Sequence, residues 1–400
     1  MAPPDTMRQP RRGTSRRWAE FALAVGALGI GIGEFAIMGL LPEVARELNI
    51  SIPQAGHTIS AYALGVVVGA PIIAVVAAKV GRRTLLLALM SLFVLGNIAS
   101  ALAPSDGWLI ALRFFTGLPH GAYFGVASLV AAGMTGANGR AAAVGRVLFG
   151  LTVATVVGSP LATWFGDVLG WRAAFGAVAA IGAASVVLIW RFVPSDRRNV
   201  TSGMLSELTA LRRMQVWLTL AIGAVGFGGM FAVYSYIAPT LTNADHMPQA
   251  IVPLVLSIFG TGMILGNLAG GWLADRAVMP TVGGVLVWNI VVLACFGITG
   301  GDSWEAIADV LLVGTGFALV PALQTRLMDV AANAQTLAAA LNHSALNIAN
   351  ALGAWLGGLS IAAGHGWTST GWVGAILAAS GAVVFAISFF VEREVKPVSA

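Results

Sequence analysis

Long apolar stretches dominate this chain, and polar or Pro/Gly-rich breaks divide them into about twelve runs. Their limits are near 18–41, 55–78, 84–102, 108–133, 141–164, 173–192, 216–241, 251–274, 280–298, 304–328, 335–362 and 372–390. A helix needs about 20 mostly apolar residues to cross the hydrocarbon of a bilayer, and these runs have that length. Membrane β-strands would be shorter and would alternate apolar with polar residues, which these runs do not. The pattern therefore predicts an all-α membrane protein of twelve transmembrane helices, and the even number places both ends of the chain on one side.

The longest polar break runs from about Pro194 to Gln215 and follows the sixth run. It predicts a six-helix bundle over 1–193, a cytoplasmic linker over 194–215 and a second six-helix bundle over 216–400. Weak internal likeness agrees. Ala141-Ala142-Ala143 recurs as Ala338-Ala339-Ala340 at a shift of 197 residues, Gly170-Trp171 recurs as Gly366-Trp367 at 196, and Ala78 falls opposite Asp275. Parallel six-helix repeats enclosing a site at the membrane midplane are a transporter architecture.

Composition excludes the soluble alternatives. A soluble domain has roughly 25% charged and 45–50% apolar residues, whereas this chain has 10% charged and 58% hydrophobic residues and a mean hydropathy of +0.85. Its 50 glycines suit close approach of membrane helices. Of 22 Lys and Arg residues, nineteen fall beside the runs on one side, leaving Arg46 and Arg172 on the other and Arg113 within a run. Cytoplasmic loops carry such an excess, so the expectation is a multi-pass protein of the inner (cytoplasmic) membrane with both termini cytoplasmic. The net charge of +5 belongs to these short loops and forms no aromatic-interleaved nucleic-acid face. The first run is too long for a signal peptide and is expected to be retained. Cys295, the single cysteine, forms no intrachain disulfide.

Three stretches carry a family resemblance. Residues 113–125, from Arg113 through Gly117, Pro119 and His120 to Gly125, form a glycine-rich fourth span. Gly150 through Gly158, Ser159 and Pro160, followed by Gly170-Trp171-Arg172, forms a second motif. The third runs from Gly39 to Leu48. Together they resemble the major facilitator superfamily, and within it the drug:proton antiporters of the arabinose-efflux and chloramphenicol-efflux type. The resemblance implies proton-driven export of a small apolar or amphiphilic compound by alternating access. It also implies a gating motif at Gly81, Arg82 and Arg83, mirrored by Asp275 and Arg276. Ala78 stands where the motif's upstream acid is expected, so each half keeps a different part of it.

Charges at bilayer depth cost at least about 2.5–3.5 kcal/mol each and are usually functional. The candidates are Glu34, Arg113 and, less deeply, Asp309. At 1.5 Å per residue, Glu34 sits about 24 Å from one end of its span, and Arg113, on an oppositely directed span, lies at a similar depth. One reading makes Glu34 the proton-coupling carboxylate and Arg113 its charge partner; the other makes them a permanent structural pair. His120 shares a helical face with Arg113 and either relays protons and contacts substrate or satisfies a carbonyl freed by Pro119. His343, Asn347 and Asn350 form a polar stripe that either lines a wet cavity or joins helices. Phe35, Tyr123, Phe124, Phe231 and Tyr234 are candidate walls of an apolar substrate cavity. Gly150, Ala154, Gly158 and Ala162, and again Gly262, Gly266 and Gly270, are packing seams.

The remaining classes lack their motifs. A Walker loop needs Gly-Lys-Ser/Thr, whereas the only lysines, Lys79 and Lys396, follow Ala78 and Val395, so no ATP use is expected. No metal-ligand spacing or catalytic cluster points to a metal site or an enzyme. Protons and a small molecule are the expected partners, with the proton gradient as energy source and no cofactor. A sugar or nucleoside-like substrate, a facilitator or uptake symporter, and a transport-inactive receptor are the rival readings.

Overall fold

Apolar runs without β alternation fold as helices, and among the described residues no strand occurs. The computed structural model describes residues 12–76, 80–134, 140–195, 212–244, 246–299, 303–331 and 335–395. Ala78 and most of the anticipated linker lie outside the described residues. The chain forms α1 (Arg12–Leu48), α2 (Ile52–Val76), α3 (Arg82–Ala101), α4 (Asp106–Gly133) and α5 (Arg140–Val153). A π-turn (Ala154–Gly158) leads into α6 (Ser159–Leu169), and α7 (Trp171–Phe192) follows. The rest comprises α8 (Met214–Gly226), α9 (Gly228–Tyr234), α10 (Val252–Ala274), α11 (Val278–Thr299), α12 (Ser303–Thr315), α13 (Leu319–Ala331), α14 (Gln335–Ala362) and α15 (Ser369–Val395).

Eleven helical stretches are long and apolar enough to cross a membrane, and each coincides with one of the twelve runs. The fourth run, now α4, is not among them. It has 28 residues, ample length at about 1.5 Å per residue, but Arg113, Pro119 and His120 dilute its apolar character. Large apolar side chains such as Leu95 and Ile298, 64% and 71% exposed, cover the outside of the bundle. Soluble monomers do not carry so continuous an apolar surface; here it faces lipid.

Two breaks in the helices have local causes. Pro160 supplies no N–H and would crowd the carbonyl one turn back in a regular helix; the π-turn immediately before α6 relieves that conflict. Between α8 and α9 the chain breaks at Phe227, flanked by Gly226 and Gly228.

Glycines set how closely the helices approach. A side chain at Gly65 would run into the carbonyl of Phe114, at Gly69 into that of Leu118, and at Gly117 into that of Tyr62, so α2 and α4 pack backbone to backbone. The same three obstructions recur between α10 and α12, where Gly262 faces Leu311, Gly266 faces Thr315 and Gly314 faces Phe259. Every one of these six positions is shifted by 197 residues from its counterpart. The weak sequence repeat is thus a repeated helix crossing.

Helices α1–α7 and α8–α15 meet at the end of the bundle near Asn49, opposite the Arg82–Arg83 turn. Ser60 donates to the Ala351 carbonyl at 3.0 Å. Gly260 lies against the backbone of Thr155, Gly39 against Leu256, and Gly56 against the Tyr236 hydroxyl. One hydrophobic cluster runs through this seam, joining Leu40, Leu41 and Val44 to Tyr236, Leu256 and Phe259. Beyond it, the Gln249 amide donates to both Glu43 and Asp167, each at 3.3 Å.

Candidate functional site

The α2–α4 crossing also assembles the polar centre. With Gly117 opposite the Tyr62 backbone, the Tyr62 ring lies between two side chains spaced seven residues apart on α4, Arg113 and His120. The Arg113 guanidinium sits 4.2 Å from the centre of the Tyr62 ring and 5.5 Å from that of Phe175. The Tyr62 hydroxyl shares a hydrogen bond with Nδ1 of His120 at 3.1 Å. The opposite nitrogen of His120, Nε2, is 4.0 Å from Oε2 of Glu34. Oε1 of Glu34 accepts from Nδ2 of Asn350 at 3.3 Å. A carboxyl group on α1 therefore bridges α4 and α14, and α14 comes from the other set of helices.

Glu34 and Arg113 are brought into one buried cluster without forming a direct hydrogen bond. Arg113 is fully buried, and its Nε, Nη1 and Nη2 have no hydrogen-bond partner. Cation–π attraction to Tyr62 and Phe175 offsets part of that desolvation, about 2 kcal/mol or more in a dry site, but satisfies none of the guanidinium's five N–H donors. Oδ1 of Asn350 is likewise buried without a partner.

The polar stripe of α14 faces this seam, though its members do different things. Asn350 reaches Glu34, Asn347 donates back to the His343 carbonyl at 3.0 Å, and His343 stacks on Phe124 with ring centres 6.1 Å apart. Phe124 also meets His120, at 5.2 Å. Phe35 meets Tyr234 edge-on at 5.9 Å, and Tyr234 stacks on Phe259 at 3.9 Å. Phe231 belongs to the same cluster. Tyr123 is placed differently: its hydroxyl donates to the Leu23 carbonyl at 2.8 Å, and its ring fills the space above Gly26. It packs α4 against α1 and stands outside the aromatic group around Tyr234. Asp309 accepts from Thr299, away from the centre.

The remaining motif residues lie elsewhere. Gly81 precedes α3, and Arg83 donates to the Trp190 carbonyl on α7. Arg276 donates to the Trp272 carbonyl at 2.7 Å and covers the Trp272 ring, while Asp275 is exposed at the end of α10. Gly150 abuts the Ala24 carbonyl and Gly158 the Ile32 side chain, so α5 and the π-turn lie close on α1; Pro160 is buried at the start of α6. Tyr62 and Gln249 escaped the sequence reading. Tyr62 is one of four tyrosines and precedes Gly65 by three residues, so the small-residue face of α2 was the available signal. Gln249 opens a single 3-10 turn (Gln249–Ile251) before α10, too short for a hydrophobic pattern to single it out.

Comparison with known proteins agrees with the helical fold. The family model described as Major Facilitator Superfamily matches residues 23–342. The chain is 41% identical over 358 residues to the inner membrane transport protein YdhP of Escherichia coli K12, covering 89% of this chain and 92% of that protein. It is 32% identical over 342 residues to a chloramphenicol resistance protein of Streptomyces lividans, covering 83% and 86%. Among solved structures, a bacterial homologue of the human lysosomal transporter Spinster, inward-facing and unoccupied, superposes with a TM-score of 0.77 at 17% identity, covering 97% of this chain and all of that one.

Proposed function

Since the chain belongs to the major facilitator superfamily and is a multi-pass membrane transporter, we propose that it exports a small apolar or amphiphilic compound in exchange for protons. The observation that carries this reading is Glu34, an ionisable group buried at the meeting point of α1, α4 and α14. Such a group is expensive in a membrane unless a proton or a partner neutralises it, and both options lie within reach here. Alternating access supplies the reason to switch between them. The Asn49 end is closed in this structure, and the distribution of basic residues supports reading it as the outer end, with α4 counted as a twelfth span and both termini cytoplasmic. Outward opening separates α14 from α1 and α2 and exposes Glu34 to outside protons. Inward opening presents the same group, and the aromatic wall of Phe35, Phe124, Phe231 and Tyr234, to the cytoplasmic side. The aromatic wall favours flat apolar compounds with few polar groups.

The test is efflux from proteoliposomes carrying an imposed pH gradient, over a panel of drugs, sugars and nucleosides. The wild type is expected to drive uphill transport of at least one drug-like compound. Glu34→Gln is expected to abolish gradient-driven accumulation while leaving downhill exchange; unchanged uphill transport in that variant refutes the assignment of Glu34.

A further inference from the structure

We infer that Asn350 reads the protonation state of Glu34 on behalf of the second set of helices, gripping the neutral acid and letting go of the carboxylate. This rests on Glu34 being the proton site. A primary amide presents one acceptor and one donor side by side, the complement of a carboxylic acid and not of a carboxylate, which only accepts. Nδ2 of Asn350 already reaches Oε1 of Glu34 at 3.3 Å, and Oδ1 of the same buried amide has no partner. A proton on Glu34 gives Oδ1 its donor and closes a two-bond acid–amide pair across the seam. Arg113 supplies the second observation. Its unpartnered guanidinium lies on the neighbouring helix, yet the carboxyl bonds to the amide instead, as expected of a neutral acid with no Coulombic reason to turn.

Loss of the proton to water reverses the preference. The carboxylate then has one donor on Asn350 and faces an acceptor at Oδ1, whereas Arg113 offers five donors and a positive charge. Glu34 turns to Arg113 within α1–α4, α14 loses its hold, and the outer seam opens. Acid conditions thus favour the closed outer seam and alkaline conditions the open one. The groups facing Glu34 from its neighbours are Tyr62 on α2, Arg113 and His120 on α4, Tyr234 on α9 and Asn350 on α14, while His343 of α14 stacks on Phe124. Of these, His120 is the other candidate for the titrating group.

Spin labels at Ser51 and Ala363, both exposed beside the seam, report its closure by pulsed electron resonance in the full chain in nanodiscs. They are introduced on a Cys295→Ser background, because Cys295 is itself exposed. The quantity read is the closed-to-open ratio at acid pH divided by that at alkaline pH. In the wild type it exceeds one. Glu34→Gln brings it to one and stays closed throughout, since an amide pairs with Asn350 in the same two-bond manner. Asn350→Leu keeps the branched shape of the side chain, with more bulk and no hydrogen-bonding groups, and is expected to lower the quotient about tenfold, the worth of one to two hydrogen bonds. Asn350→Asp, nearly isosteric, lowers it as well or shifts the transition to more acid pH. A quotient unchanged in both Asn350 variants, including one in which closure weakens equally at all pH values, overturns the role of Asn350 and leaves Glu34 in place. A wild-type quotient in Glu34→Gln overturns the underlying assignment and transfers titration to His120.

Discussion

Tyr62 does two separable jobs: its ring carries the Arg113 guanidinium and its hydroxyl holds His120. Tyr62→Phe removes only the second. It is expected to retain protein yield and, under the proposed function, to slow pH-gradient-driven efflux several-fold, on the order of one lost hydrogen bond. Tyr62→Leu also strips the buried cation of its aromatic face and is expected to lower the thermal stability of detergent-purified protein beyond the Phe variant. Equal melting temperatures for the two variants exclude the cation–π role. Glu34, Arg113 and His120 were legible in the sequence because polar groups at bilayer depth stand out against apolar neighbours. Tyr62 was not, since a tyrosine is at home in a membrane helix whether or not its hydroxyl is used. That Glu34 bonds to Asn350, 316 positions away, was beyond reach, because periodicity assigns a residue to a face and not to a partner on another helix.

At the level of helices, the glycines separate into those a neighbour's backbone needs and those nothing touches. Gly65→Val drives a side chain into the Phe114 carbonyl, and Gly262→Val into that of Leu311. Overpacking of this kind costs about 1–3 kcal/mol, and more where the obstacle is a carbonyl that cannot rotate aside. Both variants are expected to lose most folded protein, measured by monodisperse yield in size-exclusion chromatography. Gly284→Ala, which meets nothing within 4 Å, is expected to match the wild type. The α10 ladder was legible as small residues at helical spacing, and the π-turn was foreshadowed only by Pro160. The fourth run shows the opposite limit: it is helical as expected, but the residues that give it chemistry keep α4 out of the eleven stretches apolar enough to span by composition.

For the molecule as a whole, the seam near Asn49 is closed by small residues, an apolar cluster and the amides of Asn350 and Gln249. Gly260→Val sets a side chain against the Thr155 backbone, where α10 and the π-turn meet. This contact joins the two sets of helices and leaves each internally intact. On a Cys295→Ser background the variant is expected to fold, to favour the open outer seam and to expose a cysteine placed at the part-buried Ser60 to membrane-impermeant thiol reagents; protection equal to that in a Ser60→Cys control refutes it. Gln249→Ala removes the amide shared by Glu43 and Asp167 and is expected to act in the same direction, more weakly. Which end is shut was not readable in the sequence, because hydrophobic periodicity is identical in both conformers of a rocking bundle.

The repeated crossing of α2–α4 and α10–α12 is filled differently in its two copies. Tyr62, Arg113 and His120 in the first correspond, at the same shift of 197 residues, to Phe259, Val310 and Phe317 in the second. After duplication of one scaffold, one copy handles charge and the other is free to vary in shape. Under the proposed function this division of labour separates cargo from coupling: substitutions at Phe259, Val310 or Phe317 reshape the apolar crossing and leave Tyr62, Arg113 and His120 untouched, so a change of cargo need not disturb the coupling site.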